Sequence, residues 1–362
     1  KCNRNFRISY GDSRLHDTRK KKVPPERYVK PDDILINSTG AGTAGRIAQI
    51  EDVPSATTID GHMILIRSNG KVTQKFLGYA LKAHQWEVLQ LDEGSTGQTE
   101  LNRDRLLDEI MINYPVSLDE QNAIVGTLES IDRKLIVNEQ LNDNLEQQAQ
   151  SYFQELFVDN ASPEWTTGTI SDLGTVVGGS TPSKAKPEYY TESGIAWITP
   201  KDLSINKSKF VSHGENDITE LGLRNSSASL MPEGTVLFSS RAPIGYIAIA
   251  AGEVTTNQGF KSVVPKPEIG TPFVYFFLKN TLPVIEGMAS GSTFKEVSGS
   301  TMKNVSAVIP DAETLAKFSD FCAPIFAQQR ILEEQNQSLA TLRDNLLPKL
   351  MSGEIDVSAV QL

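Results

Sequence analysis

The sequence predicts an α+β protein: two tandem mixed α/β domains separated by two long helices that pair as an antiparallel coiled coil. Three observations favour this class. The chain has 362 residues, which suits two domains better than a single core. Its two halves share a series of short motifs in the same order. Each half then ends in a stretch whose apolar residues recur at helical spacing.

The internal repeat rests on four pairs of similar segments. A single match of this length is weak, but four in the same order indicate two diverged copies of one domain. The matched residues, first copy against second, are 31–38 with 232–240, 45–48 with 245–248, 57–61 with 255–259, and 94–96 with 291–293.

Each copy has the pattern of a mixed α/β domain. Short runs of β-forming residues lie between Gly, Ser and Pro, and a longer helical stretch, a Gly-Ser-Thr loop and a last β-like run follow. The predicted elements are strands such as 235–238 and 246–250, helices at about 75–89 and 272–285, and final strands at 110–114 and 305–309. The predicted domains therefore span 1–117 and 161–310.

A long helix is predicted after each domain, within residues 118–160 and 311–362, and the second of these ranges includes a C-terminal tail. Apolar residues in both helices follow alternating steps of four and three, which is typical of a coiled-coil seam. We predict that the two helices pair with each other; the alternative is that each lies as an amphipathic helix on its own domain. Pro348 is expected to end the second helix at Leu347.

The predicted pairing residues are mostly apolar, with one Asn in each seam. Asn138 and Asn336 occupy similar places, and a buried Asn lowers stability but can fix register and partner choice. The predicted set is Ile124, Leu128, Ile131, Leu135, Asn138 and Leu145 in the first helix, and Ile325, Leu332, Asn336, Leu339 and Leu346 in the second.

The net charge of −10 argues against a nonspecific nucleic-acid binder, because neutralising phosphates needs Lys and Arg. The acidic residues are concentrated in the predicted helices, with 9 acidic and 2 basic side chains in 118–160. Residues 1–30 instead carry 10 basic and 3 acidic side chains. The overall charge therefore does not exclude DNA binding. The acidic side chains of the helices, with Glu146 and Glu333 among them, are expected to face outward, either to meet a basic partner or only to keep the helices soluble.

Several classes of protein lack support in the sequence. No apolar run reaches the roughly 18–20 residues of a membrane span, and no apolar signal core starts the chain, so we expect a cytoplasmic protein with no membrane partner. Cys2 and Cys322 cannot form a zinc ribbon, and the four His show no ligand spacing, so no metal site is predicted. The glycine-rich stretch 40–47 lacks the Lys-Ser/Thr of a phosphate-binding loop. We predict no catalytic residues; the rival hypotheses are a methyltransferase or nuclease with divergent motifs, and a coiled-coil interaction protein.

Two segments resemble a known family. Residues 342–355 read LRDNLLPKLMSGEI, and GGSTP at 178–182 is followed by YY at 189–190 and IAWI at 195–198. On these segments the chain resembles the specificity subunit of type I restriction–modification systems. The resemblance implies two target-recognition domains that read the halves of a bipartite, asymmetric DNA site, with the helices as a conserved spacer.

The same resemblance implies partners. Two methyltransferase (modification) subunits would bring S-adenosylmethionine, and restriction/translocase subunits would bring ATP and Mg, so no cofactor is expected on this chain. The alternative within the class is the recognition subunit of a related system whose methylase and nuclease are fused. One departure stands out: the first copy lacks a counterpart of roughly 35 residues that open the second copy, at 165–201. The first domain is therefore expected to be shortened or to begin before the sequence does, and to be less able to recognise DNA alone.

Candidate DNA-binding residues are the donors and acceptors on predicted loops, since base edges are read by Arg, Lys, Asn, Gln, Ser and Thr, and phosphates by cations and exposed N–H groups. The first copy offers Arg19, Lys20, Lys21, Asn37, Ser38, Thr39, Arg46, Ser95, Thr96 and Gln98. The second offers Ser180, Thr181, Lys184, Lys201, Ser239, Ser240, Arg241, Asn257, Gln258, Ser292, Thr293 and Lys295.

Alternative readings remain open for these candidates. The segment 257–259 has the composition of a plain turn, and 239–243 could serve only to turn the chain. The Gly-Ser-Thr loops occur in both copies and could be scaffold, and the basic run 19–22 could be a solvated stretch.

Overall fold

The computed structural model describes residues 1–3, 6–11, 13–17, 19–20, 22–93, 100–291 and 295–357. The chain divides into two compact units. Unit 1 comprises Lys1–Ile136 with Ser338–Leu362, and unit 2 comprises Val137–Gln337. Each long helix contributes one part to unit 1 and the other part to unit 2.

Unit 1 is built on a three-stranded antiparallel sheet in which β1 is central, in the order β2-β1-β3. Its strands are β1 (Ile34–Asn37), β2 (Ile47–Gln49), β3 (Met63–Ile66), β4 (Asp92–Glu93) and β5 (Glu100–Leu101). Its helices are α1 (Gln74–Ala83), α2 (Gln85–Leu89), α3 (Arg103–Glu109), the first part of α4 (Leu118–Gln154) and the last part of α10 (Ala312–Ser352).

Strand β1 forms because it is an uninterrupted apolar run with a hydrophobic cluster on each face. Ile34 and Ile36 pack into one cluster, and Leu35 packs into the other with Ala48 and Ile50. This follows from the two-residue alternation of side chains along a strand. All four residues of β1 are buried as a result.

The helix predicted at 75–89 is broken into α1 and α2 at His84. Thr73 begins α1 by accepting a hydrogen bond from the Phe76 N–H. The break places the Gln85 side chain against β2, where its amide bonds the N–H of Ile47 and the carbonyl of Gly45. These two bonds satisfy backbone groups at the start of β2, and they explain the interruption.

Among its described residues, unit 2 has three sheets: a five-stranded one in the order β10-β13-β12-β15-β7, a four-stranded one in the order β14-β9-β11-β8, and a two-stranded one, β16-β6. Its strands are β6 (Thr166–Thr169), β7 (Gly174–Gly178), β8 (Tyr190–Thr191), β9 (Ile195–Ile198), β10 (Phe210–Val211), β11 (Asn216–Ile218), β12 (Val236–Ser240), β13 (Ile244–Ala250), β14 (Val254–Thr256), β15 (Lys261–Pro265) and β16 (Ser306–Ile309). Its helices are α5 (Ile170–Leu173), α6 (Pro200–Ile205), α7 (Glu220–Arg224), α8 (Thr271–Gly287), α9 (Gly299–Lys303) and the remaining parts of α4 and α10, and a π-helical turn at Glu155–Asp159 follows α4.

Strand β12 repeats the arrangement of β1. Val236 and Phe238 face a large core that includes helix α8, and Leu237 faces a second core. The large core contains an aromatic cluster in which Phe153 of α4 contacts Phe273 of α8 and Phe318 of α10. The two long helices are therefore part of the core of unit 2 and do not only flank it.

The final strands of the two copies differ. Strand β16 forms as predicted and pairs antiparallel with β6. Residues 110–114 are not a strand, so that prediction is wrong. The reason is non-local: β16 is held by its pairing with β6, whereas residues 110–114 pair with no strand among the described residues.

The long helices pair antiparallel within each unit. In unit 1, Ile124 and Leu128 of α4 pack with Leu347 and Leu350 of α10. In unit 2, the Asn138 amide of α4 donates to Asn336 of α10. One turn later in α4, the Asn142 carbonyl accepts from Gln329, which lies earlier in α10, so the two helices run in opposite directions. Of the predicted pairing residues, Ile124, Leu128, Ile131, Leu135, Asn138, Ile325 and Leu332 are buried, and Leu145, Asn336, Leu339 and Leu346 are half-buried.

Helix α10 continues to Ser352, so the prediction that Pro348 ends it is wrong. Leu347, Leu350 and Met351 are buried against α1 and α4. Burial of three large apolar side chains outweighs the loss of one backbone hydrogen bond at Pro348. The last turns of α10 are therefore part of the core of unit 1.

A buried lysine fixes the edge strand β10 of unit 2 to the two helices. Lys209 Nζ lies 2.5 Å from Glu146 Oε2 of α4 and donates to Gln329 Oε1 of α10 at 2.6 Å. It also lies 3.9 Å from the ring centroid of Phe326. Glu333 accepts the backbone N–H groups of Lys209 and Phe210. Glu146 and Glu333 therefore hold unit 2 together, and the expectation that they face outward is wrong for both.

Within the described residues, no helix is both long enough and apolar enough to cross a membrane.

Candidate nucleic-acid interface

In unit 2 a charged group lies at the end of β12. Arg241 follows the strand and forms an antiparallel bridge with Glu296. The Val297 N–H donates to the Ser240 carbonyl at 3.0 Å and holds the two segments together. Arg241 Nη1 lies 3.5 Å from Glu296 Oε2, and Lys261 Nζ lies 3.6 Å from Glu296 Oε1. Two cations and one carboxylate thus meet at a partly exposed strand end.

A second loop pair lies beside Lys261. Lys261 Nζ donates to the Gln258 carbonyl, and the Thr181 hydroxyl donates to the Gln258 side chain. Ser180 is fixed by its N–H to the Thr256 carbonyl and by the Trp197 indole, which donates to the Ser180 carbonyl. The loops near 180 and 258 are therefore joined, and Gln258 is exposed on them.

Glycine is required where these loops meet. A Cβ at Gly179 would lie 2.0 Å from the Asn257 carbonyl oxygen and 2.4 Å from that of Thr256. Asn257 itself accepts the Gly259 N–H through its side chain, which is an ordinary turn contact. The alternative reading of 257–259 as a turn therefore fits Asn257, while Gln258 keeps an exposed side chain.

Four predicted DNA-binding residues are internal, and the candidate set is corrected for them. Ser239 and Ser240 are fully buried at the end of β12, where their hydroxyls bond the carbonyls of Pro243 and Gly259. In unit 1, Asn37 and Ser38 are buried at the end of β1. The Asn37 amide bonds Cys2 and Thr43, and the Ser38 hydroxyl bonds Gly61. Their polar atoms close the ends of strands and do not reach solvent.

Unit 1 has the same strand-end bridge as unit 2 with different side chains. Thr39 forms an antiparallel bridge with Glu100, and the Leu101 N–H donates to the Ser38 carbonyl at 2.7 Å. The Thr39 hydroxyl lies 2.8 Å from His62 Nδ1, and Glu100 is exposed. Each bridge is followed by a capped short helix, α3 after Asn102 and α9 after Ser298. The duplication therefore includes this local geometry.

The remaining cationic candidates are at the surface. Lys20, Lys184 and Lys295 are exposed, and Arg19 is paired with Asp17 at 3.1 Å. Lys201 is exposed and lies 2.5 Å from Glu215. The Arg46 guanidinium bonds the Gly42 carbonyl in the loop between β1 and β2. Lys21, Ser95, Thr96, Gln98, Ser292 and Thr293 lie outside the described residues.

Sequence reasoning missed Glu296, Lys261 and Glu100. A signal for the two glutamates exists in the repeat, because each follows the matched Gly-Ser-Thr segment and precedes a helix cap. Lys261 carries no such signal, since it is placed by the pairing of β15 with β7 and β12. In the described parts of the chain, no group of His, Cys, Asp and Glu has the arrangement of a metal site.

Comparison with known proteins gives a consistent result. The family model described as "Type I restriction modification DNA specificity domain" matches residues 20–147 and 163–342. The MjaIX specificity subunit of Methanocaldococcus jannaschii is 38% identical over 191 residues, which are 50% of this chain and 44% of that protein. The HindI specificity subunit of Haemophilus influenzae is 27% identical over 194 residues, 53% of this chain and 42% of that protein. The chain thus spans less than half the length of these two relatives.

A solved structure shares the fold. The type I restriction–modification S subunit from M. genitalium superposes with a TM-score of 0.54 at 18% sequence identity, covering 90% of this chain and 84% of that one. The predicted fold class, two mixed α/β domains in tandem with long helices, is confirmed.

Proposed function

The chain belongs to the family of type I restriction–modification DNA specificity domains, and on that premise we propose that it is the DNA sequence-recognition subunit of a type I restriction–modification complex. Each unit reads one half of a bipartite DNA site. The chain itself is non-catalytic and acts by placing partner enzymes on that site.

The observation that carries the proposal is the duplicated strand-end bridge. Both units place a glutamate across from the residue that follows a buried central strand, and that residue differs: it is Thr39 in unit 1 and Arg241 in unit 2. Two domains of one fold that recognise different half-sites need the same backbone geometry but different polar side chains. Base identity is recognised through side-chain donors and acceptors. The combined site is therefore asymmetric.

Cations near the bridge of unit 2 support contact with DNA. Lys261 lies at the bridge, Lys295 directly precedes Glu296, and Lys184 is exposed three residues after Thr181, whose hydroxyl bonds Gln258. Lysines at such positions position the duplex through its phosphates and leave base discrimination to other side chains. The acidic excess of the chain lies mainly in the long helices, so it does not oppose binding at these loops.

We further propose that two methyltransferase subunits and the restriction/translocase subunits dock on the chain and bring S-adenosylmethionine, ATP and Mg. The exposed apolar residues of the long helices support this. In unit 2, Val137 and Leu141 lie one turn apart on α4 and are each 46% exposed. Side chains four residues apart share one helix face, so one partner surface can contact both. Because Leu347, Leu350 and Met351 are buried, the tail can offer partners only its remaining side chains.

The experiment is single-molecule mapping of methylated bases in cells that carry the chain together with its neighbouring methyltransferase, compared with cells that lack only this chain. We expect a split motif with a fixed gap that disappears when the chain is absent. Methylation that does not depend on the chain would contradict the proposal. Purified chain that consumes S-adenosylmethionine without a partner would contradict its non-catalytic character.

A further inference from the structure

The strand-end bridge of unit 2 contains an arginine, Arg241, with guanidinium N–H groups available to a ligand. The Arg241 side chain is 36% exposed and forms an ion pair with Glu296 at 3.5 Å. Within the described residues its guanidinium makes no hydrogen bond that satisfies the geometry of one. A guanidinium has five N–H donors in a rigid fork, which matches the two acceptors that guanine presents in the major groove. Arg241 is therefore equipped for base recognition.

The backbone of Glu296 is held by hydrogen bonds to Ser290. Its backbone bonds Ser290 in both directions, at 2.9 and 3.1 Å, and the next residue, Val297, bonds Ser240. The backbone that carries the Glu296 carboxylate is therefore fixed between the segments at Ser290 and Ser240. From there the carboxylate faces Arg241 on one oxygen and Lys261 on the other.

A carboxylate at a DNA-facing surface is unfavourable by itself, because it repels phosphates. At Glu296 two cations within 4 Å offset this repulsion, so the local net charge stays positive. The ion pair also restricts a long arginine side chain before DNA arrives, and that reduces the entropy lost on binding. The ion pair involves one guanidinium nitrogen, Nη1, so it orients the side chain while the other nitrogens can still donate to a base.

We infer that Arg241 reads a guanine in the half-site of unit 2 and that Glu296 is a positioning residue that holds Arg241 for this contact; the inference rests on the proposed function. The equivalent bridge of unit 1 has Thr39 across from Glu100 and has no arginine there. The two units therefore differ at the same backbone position.

The experiment measures base preference at every position of the unit 2 half-site. The full chain, assembled with its methyltransferase subunits, is offered duplexes in which that half-site is randomised, and bound sequences are counted. The variants are R241Q, E296Q and E296D. The matched control is E220Q, which removes another exposed glutamate of unit 2 that is ion-paired with an arginine, Arg224.

We expect R241Q to lower the preference for guanine at one position by about tenfold or more, the scale of one bidentate contact. E296Q should weaken the same preference about three- to tenfold while binding to unrelated DNA stays equal or rises, because a repelling charge is lost. E296D should recover most of the preference, and E220Q should change no position.

The failures are distinguishable. A wild-type assembly with no base preference would overturn the proposed function itself. A wild-type preference that R241Q leaves intact would overturn only the reading by Arg241. A loss in E296Q that falls equally on all positions, or that E296D does not recover, would overturn the positioning role of Glu296.

Discussion

The side-chain amide of Asn138 in α4 donates to the side-chain oxygen of Asn336 in α10, with 2.9 Å between the two atoms. The same amide lies 3.3 Å from Gln335 Oε1. Asn138 is 1% exposed, and its own oxygen has no hydrogen-bond partner among the described residues. This polar layer lowers stability relative to apolar packing, but it matches only when the helices are in this register. It therefore selects one pairing of the two helices.

The polar layer predicts opposite effects for single and double replacement. Asn336→Leu alone leaves the buried Asn138 amide with a weaker set of partners and should destabilise the chain by about 1–3 kcal/mol. Replacing both Asn138 and Asn336 with Leu removes the unpaired groups and should be neutral or stabilising by about 1 kcal/mol. Urea unfolding measures both free energies. Additive effects of the two replacements would show that the residues are not coupled.

The double Leu replacement should also make the pairing of the two helices less specific, although it does not lower stability. The double Leu variant loses the group that penalises other registers, so it should form dimers or mixed oligomers at concentrations where the wild-type chain does not. Sedimentation velocity measures this distribution. A double variant with the same oligomeric state as the wild type would show that the remaining apolar seam is enough to define the pairing.

Lys209 predicts a large loss of stability on removal of one charge. Lys209→Met leaves the carboxylate of Glu146 with one fewer cation in a mostly buried place, although Lys279 still lies beside it. We expect unit 2 to be destabilised by about 3 kcal/mol, because removing one member of a buried ion pair leaves the other uncompensated. The control is Lys207→Met, an exposed lysine two residues earlier, which should change the free energy by about 0.5 kcal/mol or less.

The measurement for Lys209 is denaturant unfolding followed by near-ultraviolet circular dichroism, which reports the packing of Phe276 and Phe326 around the lysine. Equal midpoints for the Lys209 and Lys207 variants would contradict the role of the buried pair. Burial raises the pKa of Glu146, but the charges of Lys209 and Lys279 outweigh this effect and lower it below its usual value. Lys209→Met should therefore raise the pKa of Glu146.

Asp311 predicts an acid-sensitive step at the start of α10. Its carboxylate accepts the Thr314 N–H at 2.8 Å and the Trp165 indole N–H at 2.8 Å, and these bonds lower its pKa from 3.8 to about 2. A carboxyl whose pKa is lowered by folding stabilises the protein above its unfolded pKa, and this contribution is lost as the pH falls through the folded pKa. Stability should therefore decline between about pH 4 and pH 2.

The test for Asp311 compares the slope of unfolding free energy against pH in the wild type and in Asp311→Asn. The variant keeps a side-chain oxygen that can cap the helix but has no titrating group, so its slope below pH 4 should be shallower. Trp165→Phe removes one donor and should give an intermediate slope. Identical slopes in all three chains would show that Asp311 does not titrate differently in the folded and unfolded states.

Much of the fold could be predicted because it is repeated and local. The strands β1 and β12 follow from apolar runs that occur twice, and the two long helices follow from seams of Ile and Leu at a regular spacing. The Asn in each seam was visible in the sequence, and the two do meet. Such features depend on residues within one element or on a pattern that appears in both copies.

The errors come from contacts between distant parts of the chain. Residues 110–114 were predicted as a strand like β16, but they pair with no strand among the described residues. Ser239 and Ser240 read as loop residues, yet the register of β12 shifts after Phe238 and the strand continues through both serines. Lys209 cannot be distinguished from a surface lysine without its partners. The DNA contact of Arg241 stays a prediction, and Glu296, the residue across from it, was not among the candidates chosen from the sequence.

The two long helices are expected to set the distance between the two half-sites on DNA. The residue pairs Ile136–Val137 of α4 and Gln337–Ser338 of α10 lie where each helix leaves one unit and enters the other. Insertion of one seven-residue repeat at both points keeps the seam in phase and adds about 10 Å of helix, or about three base pairs of DNA. We expect the gap in the methylated motif to lengthen by about three base pairs while both half-sites stay the same. Insertion in α4 alone should abolish methylation, because it puts the facing residues out of register. A changed half-site with an unchanged gap would show that the helices do not set the spacing.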